Sequence, residues 1–323
     1  MQFFTQIKIP PFRQKINHSE QIFSIGSCFA ENIAERLRGA KFNITSSPTG
    51  ILFNPESIAN CIDMLACRHT MTVQELRCAE ELWFSYDFHS SFSSLDKEDA
   101  LSKMQQAINR GSAALQDADV VIVTFGTAWV YRLNENNKIV ANCHKQPQAL
   151  FNRELLTVEH IVNRWSKLLD STLSGKHVIF TVSPIRHLSD GLEQNSLSKA
   201  VLRIAIAELT AKYDNVTYFP SFEIMNDELR DYRFYAEDMT HPSQQAIEYI
   251  WQRFSDAAIT EQSLQLIERL SKIAQAAEHR PLKPQSEAYR NFCLRQLEEI
   301  EKINHNHPTI DLSKEKATFV AHL

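Results

Sequence analysis

Two short stretches hold the side chains from which a nucleophile and its base could be assembled. The first is Phe23-Ser24-Ile25-Gly26-Ser27-Cys28-Phe29-Ala30, an apolar strand run, a glycine, then the start of an amphipathic helix. A serine after such a turn projects its hydroxyl beyond the strand's carboxyl end. The N–H groups that follow it lack intrahelical acceptors, and the positive end of the helix favours negative charge developing on a substrate oxygen. Serine is also a preferred helix cap, so the pattern admits a purely structural role for Ser27. Cys28 competes as nucleophile, because a helix start activates a thiol, although its place beside Phe29 argues for burial. The second stretch is Glu237-Asp238-Met239-Thr240-His241-Pro242-Ser243. Asp238 can fold back to hold one imidazole N–H of His241, leaving the other ring nitrogen to take a proton from a hydroxyl. Pro242 suits the first position of the helix that follows. A turn aspartate beside a surface histidine is the plainer alternative.

Both stretches need a scaffold that brings them together, and the apolar pattern supplies one. Strands are expected at Gln21–Ile25, Phe42–Thr45, Asp119–Phe125, His177–Val182 and Val216–Phe219. Helices are expected over about Phe29–Arg38, Pro55–Cys67, Asp96–Ala114, Val158–Leu173, Gln194–Lys212 and Ser243–Ala258, with a hairpin excursion around Trp129–Leu133 and Ile139–Asn142. Such alternation implies a parallel sheet covered by helices, with the ligand crevice at the strands' carboxyl ends. Ser27, Gly126-Thr127, Ser183-Pro184 and the Asp238–His241 turn all map to that edge. From about Glu261 the pattern becomes helical and polar, broken at Pro281-Leu282-Lys283-Pro284, with a frayed end expected from about Asn304. The domain division is therefore 1–260 and 261–323, the second part being a helical extension through which copies of the chain could associate.

Composition narrows the function. A net charge of −5 gives no clustered basic surface for nucleic acid. No run approaches the roughly 20 apolar residues of a membrane span, and the opening Met1–Pro10 lacks the apolar core of a secretory signal. The six cysteines are scattered without CxxC pairs, so the expectation is reduced thiols, mostly in the core, of a cytoplasmic protein. No acid–histidine cluster has metal-ligand spacing, and no metal or other cofactor is expected.

Gly26-Ser27-Cys28-Phe29-Ala30 resembles the signature of the GSCFA-domain family, itself similar to SGNH/GDSL hydrolases. Further segments resemble it in order: Thr124-Phe125-Gly126-Thr127-Ala128-Trp129-Val130-Tyr131, Asn142-Cys143-His144-Lys145, Ser183-Pro184-Ile185-Arg186-His187 and Asp238-Met239-Thr240-His241-Pro242-Ser243. The resemblance runs from about Gly26 to Phe254. It implies a flavodoxin-like three-layer α/β/α fold of SGNH type and a catalytic set of Ser27, Asp238 and His241. By the SGNH pattern, oxyanion donors would come from Ser27, Gly50 and Gly126, with Thr127 standing where an asparagine is expected. His89, Trp129, His144 and His187 are the expected substrate contacts, with Tyr131, Lys145 and Arg186 nearby in sequence. The implied function is a serine-dependent esterase or O-acyltransferase acting on acyl esters, including those of carbohydrates or cell-envelope glycans. The alternative is a weakly catalytic or non-catalytic glycan-binding protein using the same crevice.

Overall fold

The computed structural model describes residues 5–323, Asp190 by its backbone alone; the first four residues of the opening stretch lie outside that range. Regular structure begins with β1 (Gln21–Gly26), α1 (Cys28–Gly39), β2 (Asn43–Ser46) and α2 (Pro55–Ala66). A small hairpin, β3 (Arg77–Ala79) and β4 (Leu82–Phe84), precedes the long α3 (Lys97–Asp117). β5 (Val120–Phe125) leads into β6 (Trp129–Leu133), β7 (Ile139–Val140) and β8 (Phe151–Leu155), an antiparallel flap in the order β7-β6-β8. α4 (Val158–Leu169), β9 (His177–Val182), α5 (Leu192–Lys212) and β10 (Val216–Phe219) complete the alternation. α6 (Ser221–Glu223) runs into a π-helical turn, Ile224–Leu229, ahead of α7 (Gln244–Ala258). α8 (Glu261–Glu278), α9 (Glu287–Asn306) and α10 (Ser313–Val320) end the chain.

Five strands form the central sheet in the order β10-β9-β5-β1-β2, every neighbouring pair parallel. Side chains alternate between its faces. Phe23, Ile25, Val121, Val123, Phe180 and Val182 face one core with α2, α3, α4 and α5. Ile22, Val120, Ile122, Ile179 and Phe219 face the other with α1 and α7. Every residue of β5 is buried, which is why it reads as a continuous apolar run. The arrangement is the expected three-layer α/β/α fold with a mostly parallel sheet.

Departures from the sequence expectation have local causes. α3 runs three residues beyond the expected Ala114, to Asp117, and a Cβ at Gly111 within it would lie 2.8 Å from both Leu65 and Pro48, so the glycine there permits close packing. The β3–β4 hairpin turns on Glu80 and Glu81, both at positive φ, without the Asn-Gly or Asp-Gly signal of tight hairpins. Pro242 is not the first helical residue: Ser243 caps α7 by accepting from the Ala246 N–H, and Pro242 lies in a bridge with Tyr235. The tail is not frayed from Asn304. Ile310, Leu312 and Phe319 are buried with Leu266, Leu270, Ile273, Cys293, Ile300 and Ile303 in a third core belonging to α8–α10. That helical extension is tied back to the sheet domain by Lys41, whose Nζ lies 3.1 Å from Asp311 O and 2.9 Å from Glu315 Oε1. All six cysteines are free, but only Cys61 and Cys293 are fully buried, while Cys67 and Cys78 are exposed; the expectation of mostly core thiols is corrected. No described helix is long and apolar enough to cross a membrane.

Candidate active site

Ser27 is fixed by the sheet. Gly26 ends β1 at φ +143°, and a Cβ there would sit 2.2 Å from Thr124 O, so no other residue fits the turn without displacing β5. The Ser27 N–H bonds to Thr124 O at 3.1 Å, and Leu52 N–H bonds to Gly26 O at 2.9 Å. These bonds hold the turn between β5 and the loop that follows β2. Ser27 occupies the N-cap position of α1, yet its side chain makes no capping bond. It is 1% exposed, and its Oγ has no hydrogen-bond partner among the described residues. A buried hydroxyl left unpaired is costly, so a role as a helix cap does not account for this serine. At the head of α1 the N–H groups of Cys28 and Phe29 have no acceptor among the described residues. Burial pushes the Cys28 thiol above its ordinary pKa, the reverse of what a thiolate nucleophile needs.

Asp238 and His241 are paired as expected. Asp238 Oδ2 lies 2.5 Å from His241 Nδ1, and its Oδ1 accepts from the N–H groups of Thr240 and His241 at 2.9 Å each. Those two backbone donors, and then the imidazole, hold the Asp238 carboxyl well below the usual carboxylate range. Met239, at φ +57°, closes the turn. Both side chains are about half exposed, at 49% and 47%. Arg186 N–H donates to Thr240 O at 3.2 Å, joining the turn to the segment that carries His187. The imidazole of His241 makes no hydrogen bond to Ser27 in this arrangement.

Each expected oxyanion donor is already used within the fold. Ser27 N–H goes to Thr124 O, Gly50 N–H to Ser47 O, and the N–H groups of Gly126 and Thr127 both go to Phe53 O. The Thr127 hydroxyl lies 3.0 Å from Ser198 Oγ and accepts from Trp129 N–H. Gly50 and Gly126 contribute space instead. A Cβ on Gly50, at φ +88°, would strike His89 Cβ at 2.2 Å. A Cβ on Gly126 would lie 3.0 Å from Phe53 O, 3.2 Å from Ser27 Cβ and 3.4 Å from His187 Nε2.

Of the expected substrate contacts, His187 borders the same glycine as Ser27, and the other three are engaged elsewhere. His187 lies beside Gly126, with its ring edge-on to Phe53 at 5.8 Å. Its Nε2 is buried without a partner among the described residues. Burial, then the charges of Lys199 and His241, push the imidazole down to about 4, against the Gly126 backbone, which favours the charged form. His89 packs on Gly50 and accepts from Ser91 N–H. His144 is stacked on Phe84, with Nε2 between the carbonyls of Ser85 and Phe88, so it braces that segment. The Trp129 indole donates to Gln194 O and lies under the Arg153 guanidinium at 3.7 Å. Tyr131 is exposed on β6 and packs edge-on to Phe151, and the Arg186 guanidinium lies over the rings of Tyr232 and Tyr235.

Lys199 was not anticipated from sequence. It is 2% exposed, and its Nζ donates to Gly126 O at 2.6 Å and Ser183 O at 2.8 Å, tying together the segments that follow β5 and β9. Burial pushes it down to about 7, with Cys28 acting the other way. The available signal was a lysine at the spacing of the buried face of α5, which also holds Asn195, Leu202, Ile206 and Leu209. Among the described residues no group of three or more His, Cys, Asp or Glu could hold a metal ion.

Comparison with known families gives two matches. The model of the GSCFA family matches residues 21–254, and that of the GSCFA domain protein, C-terminal domain, matches residues 270–323. The second match falls on the separate core of α8–α10. No curated protein matches the chain.

Proposed function

We propose, from the premise that this chain belongs to the GSCFA family, that it is a serine-dependent esterase or O-acyltransferase of SGNH type. Ser27 is the nucleophile, His241 the base and Asp238 the partner that fixes the histidine's tautomer. The observation that carries this reading is the Ser27 hydroxyl: buried, unpaired, and set at a helix start whose first N–H groups are free. In the reaction the Ser27 oxygen attacks an acyl carbonyl as His241 takes its proton, and the alkoxide leaves with that proton. The acyl group then passes to water or to a second hydroxyl. Acyl esters of carbohydrates or cell-envelope glycans are the substrate class we assign, and the cytoplasm, where the free thiols would persist, the compartment. Association of copies through α8–α10, where Leu282, Leu294 and Val320 are exposed, belongs to the same proposal and is read from the mass in solution.

A second reading, a glycan-binding protein without turnover, is favoured by the commitment of all four expected oxyanion donors. Labelling with a fluorophosphonate separates the two. Labelling of the native protein that is lost in both Ser27→Ala and His241→Ala supports the acyl-transfer reading. A folded native protein that never labels favours binding.

A further inference from the structure

An acyl-transfer site needs donors aimed at the oxygen that becomes negative, and removing one costs about 100- to 1000-fold in rate. The free N–H groups of Cys28 and Phe29 are two sources at the head of α1. We propose that His187 is a third: a catalytic residue whose Nε2–H meets the tetrahedral oxyanion formed at Ser27, supplying the side-chain donor that the fold withholds at Thr127. This rests on the acyl-transfer reading above.

Position is the first argument. Gly126, without a side chain, borders both groups: a Cβ there would lie 3.2 Å from Ser27 Cβ and 3.4 Å from His187 Nε2. Ser27 Oγ and His187 Nε2 are both buried, and neither has a hydrogen-bond partner among the described residues. Two unpaired buried polar atoms on residues that border the same glycine are each costly, and in the proposed role a tetrahedral adduct on Ser27 would satisfy both. Anchoring is the second argument. His187 N–H donates to Asn195 Oδ1 at 3.1 Å, and the ring rests on Phe53. Lys199, bonded to Gly126 O and Ser183 O, fixes the two segments that carry the glycine and the histidine.

Charge state is the third argument. The groups acting on the ring are the buried Lys199, the imidazole of His241 and the Gly126 backbone. Held near pKa 4, His187 is neutral at pH 7 and keeps one ring proton to donate. The same depressed basicity makes it a poor acceptor for the serine proton, because a general base works best with a pKa near the working pH. Base and donor are thus divided between two histidines. During attack the Ser27 oxygen–carbon bond forms, the serine proton moves to His241, and the carbonyl electron pair moves onto oxygen. His187 stabilises that oxygen and retains its own proton. On collapse the carbonyl re-forms and the alkoxide departs with the proton from His241.

The test is steady-state hydrolysis of p-nitrophenyl acetate by wild type, Ser27→Ala, His187→Phe and His187→Gln, each first shown folded by thermal melting. The proposal expects His187→Phe to lose about 100- to 1000-fold in kcat with little change in KM, and His187→Gln to recover at least about tenfold of that. Rescue by glutamine, which can donate but cannot act as a base, is the readout that packing alone would not give. Ser27-dependent turnover at the wild-type rate in His187→Phe, or equal loss in both variants, overturns the donor role and leaves the acyl-transfer reading standing. Wild-type turnover no different from Ser27→Ala overturns that reading, and this proposal with it. Should either variant not fold, nitrogen NMR of wild-type histidines on forming a boronate adduct at Ser27 decides instead. A downfield shift of the His187 Nε2–H, with the ring still neutral, supports the proposal, and an unmoved resonance overturns it.

Discussion

At the end of β1, Ser27 is buried and its N–H is bonded to β5, with Gly26 O bonded to the loop after β2, whereas Asp238 and His241 keep about half of their side chains in water. The serine turn is specified by long-range structure: only glycine fits at position 26, because β5 lies against it. The histidine turn is specified almost within itself, by three hydrogen bonds to one aspartate. For the proposed reaction, the contrast makes fixing the nucleophile and fixing its base separate problems. The sheet solves the first, and a short loop joined to the His187 segment through Thr240 O solves the second. Changes to the backbone of the first turn, as at Gly26, should therefore act on folding as well as chemistry, and changes at the second mainly on chemistry.

The largest expected effect is on turnover. Ser27→Ala should lower the rate of ester cleavage by at least about 10⁴-fold without lowering the melting temperature, because the lost hydroxyl is unpaired; a fall in both would mean the hydroxyl also holds the turn. Next is Asp238→Asn, expected to cost about 10³- to 10⁴-fold in kcat through the wrong histidine tautomer, with a urea midpoint lowered less than by a change at Gly26. Gly26→Ala sharpens the contrast from the other side. Strain at positive φ and the clash with Thr124 O should destabilise by about 3–5 kcal/mol, seen as a lower urea midpoint. If Asp238→Asn proved as destabilising as Gly26→Ala, the division between the turns would fail.

The smallest effect is a slope. Lys199 titrates near 7 in the fold against an ordinary 10.5, so between those values the unfolded chain holds more of its proton. Stability should accordingly rise with pH across about 7 to 10.5, and the burial penalty is full below 7. Comparing wild type with Lys199→Met by chemical denaturation should give a difference that moves in favour of wild type by at most about 1.4 kcal/mol per pH unit. A flat difference would place the lysine's charge in water.

The sheet and the Ser27 turn were legible because their signals are local: buried apolar runs punctuated by glycine. The Asp238–His241 pair was legible for the same reason, since the acid and the histidine are neighbours in one turn. What sequence could not reveal was competition for the same hydrogen bonds. Phe53 O takes the N–H groups of both Gly126 and Thr127, a pairing made by a loop with no pattern of its own. Lys199 was hidden by its type, a charged residue being assigned to solvent. The order of the last helix was missed because Ile310, Leu312 and Phe319 are too widely spaced to show a period, although together they fill one core.

The placement of β1 between β2 and β5 also sets a clock. β1, α1 and β2 can pair as soon as they are made, but Thr124, whose carbonyl receives the Ser27 N–H, is synthesised about 100 residues later. At typical rates of 5–20 residues per second that is a wait of roughly 5 to 20 seconds. The His241 turn follows after a comparable further interval. A nascent chain therefore completes the Ser27 turn before the Asp238–His241 pair has been made.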